Sequence, residues 1–143
     1  MTLADIAEFT VDVNYWAKSC HRLQISGAPR VTIIAQASNG DRIYVTGRHQ
    51  TPGCKRDQWV TWDYLDGNTL WSANTLGLTN VSSLQPIHEA LLQTPGFGDY
   101  SLFVIRLNEF GDAEFWLDNQ RINVVTLAER LQDWTMEHTH HLP

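Results

Sequence analysis

An apolar repeat near the N-terminus constrains the predicted fold more than any other feature of the sequence. The apolar side chains recur at intervals of three and four residues, at Ile6, Phe9, Val13, Trp16, Cys20 and Leu23. This spacing places them on one stripe of an α-helix. Thr2 and Asp5 can cap its first turn, and Ser26-Gly27-Ala28-Pro29 can end it. We therefore expect a long helix over about residues 2–24.

Asn39-Gly40 predicts a first β-hairpin. The dipeptide lies between two runs rich in β-branched residues, RVTIIAQAS and DRIYVTGRH. Both central positions of a type I′ turn require positive φ, which Asn and Gly tolerate. A two-residue loop would pair Ile34 with Val45 and Gln36 with Ile43.

Two further hairpins are predicted downstream. Asp66-Gly67 is a second type I′ candidate, and it would set Trp62 opposite Trp71. We favour this register because a cross-strand aromatic pair contributes up to about 1 kcal/mol. The stretch DYSLFVIRLNEFGDAEFWLD, residues 99–118, predicts the third hairpin.

The sequence also predicts a middle helix and a C-terminal helix. The middle helix would begin at Ser82-Ser83 and end before Gly96. Thr126 and Glu129 have the spacing of a capping box at the start of the last helix.

These elements predict one α+β domain over residues 1–143, a length that suits a single domain. Its antiparallel sheet of five to six strands, formed by hairpins, would pack against the long N-terminal helix, the middle helix and the C-terminal helix. The order of elements resembles that of class I type III secretion chaperones, which are small, acidic, dimeric α+β proteins that bind extended segments of a partner. The resemblance lies in topology alone and implies no functional residue.

Charge is unevenly distributed along the chain. The formal net charge is −6, yet residues 18–56 carry seven cationic residues and the single acid Asp41. Such asymmetry bears on partners rather than on fold. The acidic balance weighs against nucleic acid as a partner, because duplex binding requires the neutralisation of many phosphates.

Composition indicates a cytoplasmic protein. No apolar run approaches the ~20 residues of a membrane helix, so no membrane association is expected. Asp5 and Glu8 stand where a signal peptide would carry positive charge. Two cysteines, Cys20 and Cys54, are too few for a disulfide scaffold and match no zinc-site spacing.

Two candidate binding residues lie in the aromatic stretch QWVTWDYLDGNTLW, residues 58–71. Most of its aromatic side chains are expected in the core, but Trp59 falls beside Thr61 and Asp63 on the more polar face. An outward aromatic can anchor a partner or stack on a ligand. Burial among these aromatics would make Asp63 a candidate general base.

The loop GRHQTPGCKR, residues 47–56, holds the other four candidates. Arg48, Lys55 and Arg56 could hold an anion, and His49 could serve as a base beside Cys54. The spacing fits no phosphate-binding loop, so a solvated loop is the simpler interpretation.

The resulting hypothesis is a non-catalytic binding protein. No catalytic constellation, functional metal site or cofactor is predicted, and an enzyme is not favoured. We expect a homodimer, because the N-terminal stripe is longer than a small sheet can cover, and a protein partner bound through exposed aromatic and acidic surface. One alternative is a small-molecule-binding protein or enzyme with a cavity between sheet and helices. The other is an anion or single-stranded nucleic-acid binder that uses the basic region 42–56.

Overall fold

The chain folds mainly into β-structure. The computed structural model describes residues 1–17, 30–50, 59–108 and 115–129. Short 3-10 turns lie at Leu3–Asp5 and Asn74–Leu76. The strands and the α-helix are β1 (Ile6–Ala17), β2 (Arg30–Gln36), β3 (Arg42–His49), β4 (Trp59–Asp63), β5 (Thr69–Ala73), β6 (Leu78–Val81), α1 (Gln85–Leu92), β7 (Ser101–Asn108) and β8 (Phe115–Thr126).

The strands form two antiparallel sheets. The smaller sheet has the order β4-β1-β8, and the larger has the order β6-β5-β3-β2-β7. β1 lies at the centre of the smaller sheet, where Val11 is opposite Trp62 on one side and Ile122 on the other. β2 and β3 pair with Ile33 opposite Val45 in the larger sheet.

Aromatic residues from both sheets meet in one core. Phe9 in β1 lies 5.5 Å from the Tyr64 ring, measured between ring centroids, and 6.1 Å from the Trp71 ring in the larger sheet. All three side chains are buried. Ile87 and Leu91 of α1 join the same cluster. The described residues therefore share a single hydrophobic core rather than one core for each sheet.

The prediction of a long N-terminal helix is wrong. Residues 6–17 form strand β1, which pairs with both β4 and β8, and residues 18–24 lie outside the described residues. Phe9 and Val11, two positions apart, both point into the core. The run FTVDVNYW is rich in β-branched and aromatic residues, which favour strands. That preference outweighs the three-and-four spacing.

The predicted pairing of the hairpins is also wrong. The first hairpin forms, but a three-residue loop at 38–40 closes it, with the Ala37 N–H donating to the Asp41 carbonyl at 2.8 Å. This loop sets Ile34 opposite Tyr44. The other two predicted hairpins do not form, because their consecutive strands belong to different sheets. β4 pairs with β1, whereas β5 pairs with β3. Likewise, β7 pairs with β2, whereas β8 pairs with β1. The predicted burial of Trp62 and Trp71 is confirmed.

The architecture is therefore mostly β and not the predicted α+β sheet with three packed helices. The middle helix is the eight-residue α1. At the predicted C-terminal helix, Thr126 is the last residue of β8, and its capping box with Glu129 forms through backbone-to-side-chain bonds of 3.1 and 3.0 Å. Residues 127–129, which follow it, are helical. Residues 130–143 lie outside the described residues. The element order that resembled class I type III secretion chaperones is not observed.

Gly47 in β3 is required by the packing of the core. A methyl group on its Cα would lie 2.6 Å from Cε3 of the buried Trp71 ring. Gly47→Ala should therefore reduce the free energy of unfolding by about 1–3 kcal/mol, the usual cost of overpacking a core. Urea denaturation would measure the free energy of unfolding of both proteins. Gly98→Ala is the matched control, because no atom lies within 4 Å of its added methyl group. Equal stability of the two variants would contradict this account.

Candidate anion-binding site

The structure separates the predicted site residues. Trp59 and Asp63 lie on the outer face of the smaller sheet, whereas Arg48 lies on the outer face of the larger sheet. His49 points into the core and is buried. Lys55 and Arg56 lie outside the described residues. The four predicted residues that the structure describes therefore do not lie together in one site.

His49 belongs to the core rather than to an open binding loop. Its ring stacks on Trp62 at 6.1 Å with an angle of 12° between the rings, and it lies 5.5 Å from Tyr64. Its Nε2 lies 3.2 Å from Oδ2 of Asp66. The buried imidazole therefore links β3 to the turn after β4.

Asp66 is held in its charged form by its neighbours. Burial on its own would raise the pKa of Asp66, but the backbone N–H of Asn68, which donates to Oδ1 at 2.8 Å, and the His49 ring lower that pKa below its ordinary value. A carboxylate whose pKa is lowered by folding contributes stability above its unfolded pKa and loses that contribution as pH falls.

Asp66→Asn should consequently destabilise the protein in a pH-dependent way. We expect a loss of no more than about 1 kcal/mol at neutral pH, because Asp66 is partly solvated. The difference from wild type should shrink as pH falls below the ordinary aspartate pKa of about 3.9 and through the lowered pKa of the folded protein, where the wild-type carboxylate becomes protonated. Urea denaturation between pH 3 and 7 would measure it, with the exposed Asp99→Asn as control. A difference that does not change with pH would show that the charge of Asp66 is not the cause.

The outer face of the smaller sheet is polar and open. Trp59 is 51% exposed, and the exposed Asp63 accepts a hydrogen bond from the backbone N–H of Leu65 at 2.9 Å. Asp12 accepts bonds from Thr61 at 2.7 Å and from Asn123 at 3.2 Å. An exposed carboxylate that stabilises a turn is poorly placed to act as a general base, so the geometry gives Asp63 no catalytic setting.

A polar pocket lies on the outer face of the larger sheet. It is a half-open depression of about 260 Å³. Its walls come from β2, β3, β5 and the segment 74–80. The lining residues are Arg30, Thr46, Arg48, Leu70, Ser72, Asn74, Thr79 and Asn80. None of these described lining residues is acidic, and Leu70 is the one with a purely apolar side chain.

Two arginines face each other in this pocket. Arg30 in β2 is directly opposite Arg48 in β3. Burial, followed by the charge of Arg48, lowers the pKa of the Arg30 guanidinium below its ordinary value. An arginine nevertheless stays protonated at neutral pH. Like charges directly opposite each other destabilise an antiparallel pair, so an anion between them would be favoured.

Hydrogen bonds in the pocket wall orient further donors. The backbone N–H of Asn80 donates to Oγ of Ser72 at 2.9 Å, so the Ser72 hydroxyl keeps its own proton to donate. Asn80 adopts a positive φ of 54°, which is uncommon for a residue other than glycine. The Thr79 hydroxyl contacts Oδ1 of Asn74 at 3.5 Å, which leaves the Asn74 amide nitrogen as a donor.

The sequence did not single out most of this pocket. Arg48 is among the predicted binding residues, but Arg30 is distinguished in the sequence only as one of the seven cationic residues of segment 18–56. Ser72 and Asn80 carry no motif that distinguishes them from surface residues. Only the pairing register of β2 with β3 brings Arg30 and Arg48 together.

No family model, curated protein or solved structure matches this chain. The site is therefore assigned from its own geometry. Across residues 1–17, 30–50, 59–108 and 115–129, no cluster of three or more His, Cys, Asp or Glu side chains could hold a metal ion. Within the same ranges, the helices lack the length and apolar content needed to cross a bilayer.

Proposed function

We propose that the protein is a non-catalytic binding protein that holds a phosphate-like anionic group between Arg30 and Arg48. The observation that carries this proposal is the direct opposition of the two arginines in a pocket whose described lining residues include no acid. The guanidinium fork matches the oxygens of phosphate or carboxylate and can bind them bidentately. Ser72 and Asn74 line the same pocket and supply neutral donors.

The pocket favours binding over catalysis. Its described lining residues contain no carboxylate, histidine or cysteine, and acid–base or nucleophilic catalysis requires one of these groups or an activated hydroxyl. The nearest histidine along β3 is His49, whose side chain points to the other face of the sheet and contacts Asp66. A non-catalytic role therefore stays part of the proposal.

Trp59 supports a second candidate function, the binding of a protein partner. Its 51% exposure on an open sheet face is the property expected of an interface anchor. The homodimer stays a prediction, but the surplus helical stripe that motivated it is not part of the fold. The cytoplasmic location also stays part of the proposal, based on the small number of cysteines.

Phosphate should stabilise the wild-type protein through the arginine pair. A ligand that binds only the folded state raises stability with its concentration. We expect the midpoint of thermal unfolding to rise with inorganic phosphate or pyrophosphate at constant ionic strength. In Arg48→Gln this rise should be lost. Without phosphate, Arg48→Gln should be at least as stable as wild type, because the like-charge repulsion with Arg30 is relieved.

Arg106→Gln is the matched control, because Arg106 is an exposed arginine on the same sheet that does not line the pocket. It should keep the wild-type response to phosphate. Comparison between variants also removes the general stabilisation that phosphate gives to any folded protein. An equal response of wild type and Arg48→Gln would refute the proposed site.

A further inference from the structure

We propose that the anion held in this pocket is a backbone phosphate of a single-stranded nucleic acid, whose bases stack on Tyr44 and Phe103. This inference rests on the proposed function and names the ligand class of the same site. It is carried by the outward residues of the larger sheet, which we call the arginine face: Arg30, Arg42, Tyr44, Arg48, Phe103 and Arg106.

The arginine face carries the opposite charge to the chain as a whole. The five strands of the larger sheet contain four arginines and no Asp or Glu, although the formal net charge of the chain is −6. The adjacent acid Asp41 lies in the turn before β3, where it accepts a bond from the Asn39 side chain at 3.1 Å. The overall acidic balance, which weighed against nucleic acid, therefore conceals a local cationic surface suited to a polyanion.

Register places the four arginines on one side of the sheet. Arg30 is opposite Arg48, and Thr32 is opposite Arg106 on the β7 side. Directly opposite residues of an antiparallel pair share a face, and alternate residues along a strand return to it. Arg42 lies on that face because its neighbour Ile43 points into the core. The cations therefore extend from the pocket across β3, β2 and β7.

Two aromatic rings lie exposed among these arginines. Tyr44 is 48% exposed and Phe103 is 50% exposed. Tyr44 pairs across β3 and β2 with the buried Ile34. The Arg42 guanidinium carbon lies 4.2 Å from the Phe103 ring centroid, which fixes that ring on the arginine face.

This combination favours single-stranded nucleic acid over other anions. A groove of cationic side chains that follows the backbone, together with aromatic rings on which bases stack, is the usual construction of such sites. The bases of a duplex are stacked inside it and are not available to Tyr44 and Phe103. An acidic peptide would satisfy the arginines but would leave the two exposed rings without bases to stack on.

The test is fluorescence anisotropy of a fluorescein-labelled oligothymidylate of about 12 nucleotides, a length within the ~4–16 nucleotides that single-strand sites cover. We expect binding that weakens with salt, because each neutralised phosphate of a single strand contributes about −0.7 to the slope of log K against log salt. Tyr44→Leu and Phe103→Leu should each weaken binding about five- to hundredfold, since stacking of one base accounts for a change of this size.

Leucine is chosen at both positions because it keeps an apolar cover over the sheet while removing the flat ring. Trp59→Leu is the matched control, because Trp59 is an equally exposed aromatic residue on the other sheet. It should bind the oligonucleotide as wild type does. Circular dichroism and the phosphate response of each variant would confirm that its fold and pocket are intact.

The outcomes separate this inference from the proposed function. If phosphate stabilises the protein through Arg48 but the oligonucleotide does not bind, the proposed anion site is supported and the nucleic-acid proposal is refuted. Wild-type binding by both leucine variants, or equal competition by polyglutamate, would overturn stacking and point to an acidic protein partner. If neither phosphate nor the oligonucleotide binds, the proposed function itself is wrong.

Discussion

Contact between Phe9, Tyr64 and Trp71 holds the two sheets of this protein together. Phe9 and Tyr64 come from the smaller sheet and the segment that follows β4, whereas Trp71 comes from the centre of β5. Aromatic side chains bury large areas and prefer the tilted and edge-on arrangements seen here. The close approach of β3 to this cluster requires the absence of a side chain at Gly47. Packing of the core thereby fixes where β3 lies, and with it the position of Arg48.

The two outer faces that result have different chemical properties. On the smaller sheet, Asp12 and Asn123 join a hydrogen-bonded row beside the exposed Trp59. The larger sheet instead presents its arginines with two exposed aromatic rings and the polar pocket. Because the core covers the inner faces of both sheets, a ligand that contacts side chains of the sheets must bind at an outer face.

Local patterns in the sequence identified turns and buried residues better than they identified strand partners. Asn39-Gly40 does lie in a hairpin loop, with Gly40 at a φ of 95°. The loop contains three residues rather than two, however, and this difference shifts the register by one position. The predicted register would set Arg30 opposite His49, whereas the observed register sets it opposite Arg48. A one-residue shift moves side chains to the other face of a sheet, so the pocket could not be derived from turn signals alone. The prediction for the N-terminal segment failed for a different reason. Phe9 and Val13 fit both the helical and the alternating pattern, whereas Val11, which lies between the polar Thr10 and Asp12, fits only the alternating one.

The proposed anion site depends on two like charges that the register of β2 and β3 places opposite each other. Main-chain pairing of β2 with β3 brings two permanent positive charges to directly opposite positions, at a cost in stability. The described pocket wall supplies hydroxyls and amides, groups that can donate hydrogen bonds to an anion. Local features that conflict with the rest of a fold tend to occur at functional sites. The opposition of Arg30 and Arg48, together with the donors of Ser72 and Asn74, is therefore the physical basis of our proposal that the pocket binds an anion.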